Sequence, residues 1–281
     1  MNKEKEEGMA IEVFSRYEKK FLLDEKTYRF ITDRIGDYMV VDKYNQDKEF
    51  YNIANIYYDT PNDALIRASI EKPVYKEKLR LRSYGVPALS DKVFLEIKKK
   101  YKGLVNKRRT KLILSEAYDL TLNGIKPQEA KHINKQVLSE IEYFLSLYDL
   151  QPKVYLTYDR RAYFATDDRD FRVTFDTNIR SRREDVRLEA GNHGDLLIGN
   201  DFWLMEVKSS EAVPLWFTKI LSEAEIYPTS FSKYGTEYKK NLIKEKNIKG
   251  DNKICLPMYL KQQIQQQQQA QSCQREEHFS A

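Results

Sequence analysis

Between Tyr75 and Tyr84 the chain alternates with a period of two. Lys76, Lys78, Arg80 and Arg82 fall on one face of a strand, and Leu79 and Leu81 on the other. The arrangement recurs. Glu96, Lys98 and Lys100 stand against Leu95 and Ile97, and Lys107, Arg109 and Lys111 share a face within residues 105–114. Arg172, Thr174 and Asp176 oppose Phe171, Val173 and Phe175, and Glu206 and Lys208 oppose Trp203, Met205 and Val207. Near the start, Arg16, Glu18 and Lys20 align. Aligned cations repel by roughly 1 kcal/mol per close pair in water, and by about 4 where partly desolvated, unless an anion lies between them. A solvated face with Lys and Arg protecting a sheet edge explains one such segment. Its repetition points to a sheet built around a polyanion.

The same periodicities predict strands at about 13–23 and 52–58, four basic strands between about 74 and 114, and further strands at 154–163, 171–179 and 202–208. Turns are expected near Gly85 and Gly103. Asp24 is placed to cap a helix running to Ile35, and residues 63–69 suit a short one. From 115 to 150 the period becomes helical, with Val137, Leu138, Ile141, Phe144, Leu145 and Leu147 as the buried stripe. Pro152 ends it, and helices at 215–224 and 232–246 complete the set. Strands with one charged and one apolar face, plus helices with apolar faces of their own, predict an α+β fold. Its expected form is an eight-stranded antiparallel β-barrel, closed around a polar, basic lumen with helices packed outside. The links near Gly85 and Gly103 are too short for parallel crossovers. An open sheet is the alternative.

Composition narrows the picture. A net charge of only +5, from 48 basic and 43 acidic residues, means that local arrangement and not bulk charge carries the electrostatics. Cys255 and Cys273 fit neither a disulfide framework nor a zinc site, and His132, His193 and His278 are too scattered for a histidine-based catalytic apparatus. No apolar run approaches the roughly 18–20 residues needed to span a bilayer, and residues 1–10 are charged where a signal peptide would be apolar. The expectation is a soluble, cytoplasmic protein with a disordered N-terminus at 1–11, one domain at 12–246 and a low-complexity, Gln-rich tail at 247–281. Nucleic acid is not expected as a partner, because the neighbours of the basic positions are aliphatic and not stacking partners.

Seven segments, in order, resemble the motifs of the VTC (vacuolar transporter chaperone) catalytic domain. They are Glu18-Lys19-Lys20-Phe21, Ile56-Tyr57-Tyr58-Asp59, Leu79-Arg80-Leu81-Arg82-Ser83-Tyr84-Gly85, Phe94-Leu95-Glu96-Ile97-Lys98, Tyr158-Asp159-Arg160-Arg161-Ala162-Tyr163, Met205-Glu206-Val207-Lys208 and Phe231-Ser232-Lys233-Tyr234. That domain is a polyphosphate polymerase of the triphosphate tunnel metalloenzyme (CYTH-like) superfamily. The resemblance covers about residues 12–245. It implies an eight-stranded tunnel in which the terminal phosphate of ATP is moved onto inorganic polyphosphate with a divalent metal, Mn2+ or Mg2+. It further implies catalytic roles for Arg80, Arg82, Lys98 and Lys208, substrate contacts from Lys20, Lys107, Arg109, Arg160, Arg172, Ser232 and Lys233, and Glu206 as the metal ligand. Hydrolysis of tripolyphosphate or a nucleoside triphosphate, or polyphosphate binding without turnover, are the alternatives.

These residue types suit that chemistry on independent grounds. Phosphoryl transfer needs in-line positioning and neutralised oxygens more than covalent work by side chains. Arg offers a planar two-pronged grip and Lys a point charge. A carboxylate among cations is either a counter-charge or a metal ligand; Glu18 and Glu96 are expected mainly to pair with lysines. Two features depart from the pattern. Triphosphate-hydrolysing relatives carry Glu-x-Glu-x-Lys where this chain has Arg16-x-Glu18-x-Lys20, which favours a polymerase-like site. Alternation from Val154 puts Arg160 with Leu156 and Tyr158 on an apolar face, so only a bulge or a different strand orientation brings it to the lumen.

Overall fold

The computed structural model describes residues 17–102 and 104–248. Arg16, Gly103, Cys255, Cys273, His278, the expected N-terminal segment and the Gln-rich tail lie outside the described residues. The strands are β1 (Tyr17–Asp24), β2 (Met39–Val41), β3 (Tyr51–Asp59), β4 (Tyr75–Tyr84), β5 (Lys92–Tyr101), β6 (Leu104–Ile113), β7 (Gln151–Ala165), β8 (Arg172–Arg182), β9 (Asp195–Leu196) and β10 (Phe202–Ser209). The helices are α1 (Glu25–Ile35), α2 (Ala64–Ile70), α3 (Leu114–Asn123), α4 (Lys135–Leu147), α5 (Leu215–Glu223) and α6 (Lys233–Ile248).

The 10 strands form one antiparallel sheet in the order β1-β10-β8-β7-β3-β4-β5-β6, with β2 on β7 and β9 on β8. The sheet is not the closed eight-stranded barrel expected: its edges, β1 and β6, do not pair. Lys20 on β1 and Lys98 on β5 look into the same space, where burial, and then Arg80 and Lys20 against the pull of Glu18, lower the pKa of Lys98. The short strands β2 and β9 were not anticipated, and three strands, not four, occupy the basic stretch.

Apolar faces of the strands point outward and are covered by helices. On one half, Leu79 and Leu81 of β4, Leu95 and Ile97 of β5 and Ile56 of β3 pack against Ala117 and Leu120 of α3 and Val137, Ile141 and Phe144 of α4. On the other half, Phe171, Val173, Phe175, Trp203, Met205 and Val207 pack against Tyr28 and Ile31 of α1 and Phe217 and Ile220 of α5. Each such side chain contributes roughly 1.5–3 kcal/mol on burial, so the outward orientation of these faces is firmly set. With the apolar face committed outward, the charged face must look inward.

Local signals hold several elements. The Asp24 carboxylate accepts from the Thr27 N–H at 2.7 Å and starts α1. The helical stretch beyond residue 114 divides where Gly124 adopts φ 69° and closes α3, and Asn134 then caps α4 through the Val137 N–H.

Candidate functional site

The inward face of the sheet surrounds a cavity of about 1850 Å³. It is built in tiers. At the end toward α2 and α6 the lumen is filled: Val154, Leu156 and Tyr158 of β7, Ile179 and Leu204 meet Ile66 of α2 and Phe231, Tyr234 and Tyr238 around the start of α6. This accounts for Arg160. Tyr158 and Arg160 both line the cavity, so β7 keeps its alternation, and the face holding Leu156, Tyr158 and Arg160 is the lumen face, apolar only where α6 plugs it. No bulge in β7 is needed. The register shift against β8, between Thr157 and Asp159, accompanies Asn178 of β8 in the left-handed region at φ 50°.

Above the plug, cations gather around buried carboxylates. Glu206 of β10 lies opposite Lys20 of β1 and Thr174 of β8 in the sheet register. Its side chain, in a residue only 6% exposed, meets Lys233 at 3.0 Å, Lys20 at 3.3 Å, Arg160 at 3.4 Å and Lys208 at 3.5 Å. Asp176 of β8, fully buried, takes both prongs of Arg160 at 2.6 and 2.7 Å and also accepts from Lys233. Burial pushes both carboxyls toward the neutral form, but the surrounding cations outweigh it and hold each below its ordinary range. Burial likewise opposes the charge on Lys233, yet Asp176 and Glu206 raise its pKa. Glu18 lies 3.3 Å from Lys20 and 3.9 Å from Lys208 and is lowered to about 2 against burial and the Glu206 charge.

A second knot stands across the cavity. Glu96 of β5, 0% exposed, meets Arg80 at 2.6 Å, Lys107 at 3.3 Å, Arg82 at 3.9 Å and Arg109 at 4.0 Å. Glu96 pairs with a lysine, Lys107, as expected, but its shortest contact is to an arginine, Arg80. Arg82 also donates to the Asn55 side-chain Oδ1 at 2.8 Å and the Tyr158 hydroxyl at 3.3 Å, and Arg80 to the Tyr57 hydroxyl at 3.3 Å. Burial opposes ionisation of Tyr57, but Arg80 and its neighbours outweigh it and lower the phenol to about 8. Lys78 and Lys107 are each lowered to about 8, burial being the largest cause. These side chains are fixed before any ligand arrives, with the cost of immobilising long cations already met by folding.

Arg80, Arg82, Lys98, Lys208, Lys20, Lys107, Arg109, Arg160, Arg172, Ser232, Lys233 and Glu206 all line this one cavity. Ser232 caps α6, its hydroxyl accepting from the Gly235 N–H at 3.2 Å. Asp176 was not singled out from the sequence as a site residue, although its alternation with Arg172 and Thr174 is the signal that finds it. Tyr57, Tyr158 and Asn55 carried no such signal. Among the described residues no group of three or more His, Cys, Asp or Glu side chains could hold a metal ion by itself. Glu206 and Glu18 share Lys20 and Lys208, and a hard divalent ion at these carboxylates would have to bring most of its ligands with it.

The chain is thus an antiparallel sheet folded around a cation-lined interior with buried acidic knots. Residues 15–242 match the model of the VTC domain, and the chain belongs to that family. It is 26% identical over 223 residues to the vacuolar transporter chaperone complex subunit 4 of Schizosaccharomyces pombe, a match covering 71% of this chain and 30% of that protein. The chain thus corresponds to less than a third of that relative's length. Among solved structures it resembles a candidate adenylate cyclase of Bacillus halodurans, at 15% identity and a TM-score of 0.49 over 79% of this chain and 96% of the other. A second, from Hippeastrum, is described as a candidate adenylyl cyclase with dominant triphosphatase activity; it matches at 16% identity and a TM-score of 0.46 over 77% of this chain and 92% of that one.

Proposed function

We propose that this domain is a polyphosphate polymerase-type phosphotransferase, moving the terminal phosphate of ATP onto a polyphosphate chain. The observation that carries the reading is the convergence of arginines and lysines from β1, β4, β5, β6, β7, β8, β10 and α6 on one cavity, where the cations outnumber the carboxylates that line it, Glu18, Asp42, Asp47, Asp159 and Glu206, even with the buried Glu96 and Asp176 added. A chain of phosphates answers the excess.

Arg80 and Arg82, two apart on β4, grip successive phosphates, and Lys98, Lys107, Arg109, Lys208 and Arg172 neutralise the remaining oxygens as charge shifts during in-line transfer. Lys20, Arg160 and Lys233, held by Glu206 and Asp176, receive the phosphate nearest α6, where Ser232 and Lys233 stand at the helix start. Glu206, with Glu18 in support, would hold a divalent ion, Mn2+ or Mg2+, which would supply further charge neutralisation at the phosphates. Glu96 keeps the two arginines of β4 extended toward the lumen.

Incubating the purified protein with ATP and manganese and staining for long-chain polyphosphate tests this. Polymer is expected. Free phosphate without polymer would instead establish a hydrolase, and tripolyphosphate binding without turnover a binding module.

A further inference from the structure

At the end of the cavity away from α6, the lumen face of β4 changes from cationic to aromatic. Lys78, Arg80, Arg82 and Tyr84 follow one another at every second position, so Tyr84 stands roughly 7 Å beyond Arg82 along the strand. Its ring is nearly parallel to that of Tyr44, with an interplanar angle of 11° and centroids 6.3 Å apart. The rings are not in direct stacking contact, as Tyr28 and Trp203 are at 3.6 Å. Tyr51 completes an aromatic cluster at this rim, its centroid 6.2 Å from each of the two rings and tilted to them by 58° and 49°. Both tyrosines line the cavity and remain exposed, Tyr44 at 64% and Tyr84 at 50%.

The turn that presents Tyr44 is fastened to the phosphate-facing strands. Asn45, beside it, is buried; its amide donates to the Arg160 carbonyl at 3.1 Å and its side-chain oxygen accepts from the Ala162 N–H at 3.0 Å. Asp42 accepts from the Tyr44 N–H at 3.2 Å and contacts Arg172 at 3.3 Å. An exposed aromatic held by a buried amide and an ion pair is a positioned one. Beside the cluster, Phe94 meets Tyr84 edge-on at 5.8 Å and Arg109 lies over Phe94 at 4.6 Å.

We infer that Tyr44 and Tyr84 form a clip for the base of a nucleoside triphosphate, with the ribose at the rim and the phosphates running inward past Arg82 and Arg80. The inference rests on the phosphate-binding reading above and adds to it the part of the substrate that inorganic phosphates lack. Aromatic faces stack on any base, so the clip favours nucleotides over tripolyphosphate without selecting strongly among bases.

Titration calorimetry with ATP and with tripolyphosphate, in EDTA to prevent turnover, tests it on the wild type and on Tyr44→Ala, Tyr84→Ala and Tyr84→Trp. The alanine variants are expected to bind ATP roughly 5- to 100-fold more weakly, the equivalent of about 1–3 kcal/mol of stacking. Tripolyphosphate affinity should stay within about twofold, a shift under 0.5 kcal/mol, and Tyr84→Trp should retain ATP. Unchanged ATP affinity in the alanine variants, or equal loss of both ligands, overturns the clip and leaves the phosphate-binding reading standing. A wild type that binds neither ligand overturns that reading itself.

Discussion

Replacing Glu96 by Gln removes the one buried negative charge that Arg80, Arg82, Lys107 and Arg109 share. At an effective dielectric near 20, each contact between 2.6 and 4.0 Å is worth on the order of 4–6 kcal/mol gross. Desolvation and the mutual repulsion of the cations cancel most of that. What remains on removing one partner of a buried ionic group is about 3–5 kcal/mol, and a domain of this size loses about 2–4 °C of Tm per kcal/mol. The expected drop is therefore roughly 6–20 °C at pH 7 and low salt. Tripolyphosphate replaces the missing charge, so its stabilising shift should be larger in the variant than in the wild type. The sign with pH is fixed as well. Burial opposes the Glu96 charge, but Arg80, Arg82 and Lys107 hold the folded-state pKa far below the ordinary 4.5, so its stabilisation is complete above 4.5 and is lost as pH falls below that. Thermal melts from pH 7 down to 3, with and without ligand, read all of this. A variant melting within about 2 °C of the wild type at pH 7, a change below 1 kcal/mol, would refute the idea that Glu96 holds the arginines in place.

Glu206→Gln should abolish turnover while tripolyphosphate affinity stays within about tenfold, or about 1.4 kcal/mol, because the four cations around it remain; unchanged polymer yield would exclude the metal role. Arg80→Glu should weaken tripolyphosphate binding by more than about 100-fold, since it removes one charge-assisted grip and adds a repulsion, and calorimetry reads it directly. Lys78 and Lys107, depressed chiefly by burial to about 8, lose their charge as pH rises through that value, so tripolyphosphate affinity should fall between pH 7 and 9. An affinity flat across that window would show that neither lysine faces the ligand.

The alternation of charged and apolar positions made the walls of this cavity legible, because a strand's two faces are chemically committed by their neighbours: Leu79 and Leu81 outward oblige Arg80 and Arg82 inward. Asp176 was equally visible in that pattern, sharing a face with Arg172 and Thr174. Arg160 was harder. Its face is apolar at Leu156 and Tyr158 because α6, about 70 residues later in the chain, seats Phe231 and Tyr234 there, and no local window contains that contact. Closure of the sheet was also beyond a local reading, since whether β1 and β6 meet depends on the combined tilt and stagger of all the strands between them.

The unpaired edges of β1 and β6 and the apolar packing at α6 give the cavity the form of a slot with a stopped end. A polymer threaded through a ring stays on it by topology alone. A polyanion held in this slot would have ways out past Tyr84 and between the edges, so charge rather than topology would retain it. Retention by charge weakens with salt, as exposed ion pairs are screened over about 8 Å at physiological ionic strength. Ionic strength rather than unthreading would then set how long such a chain stays bound.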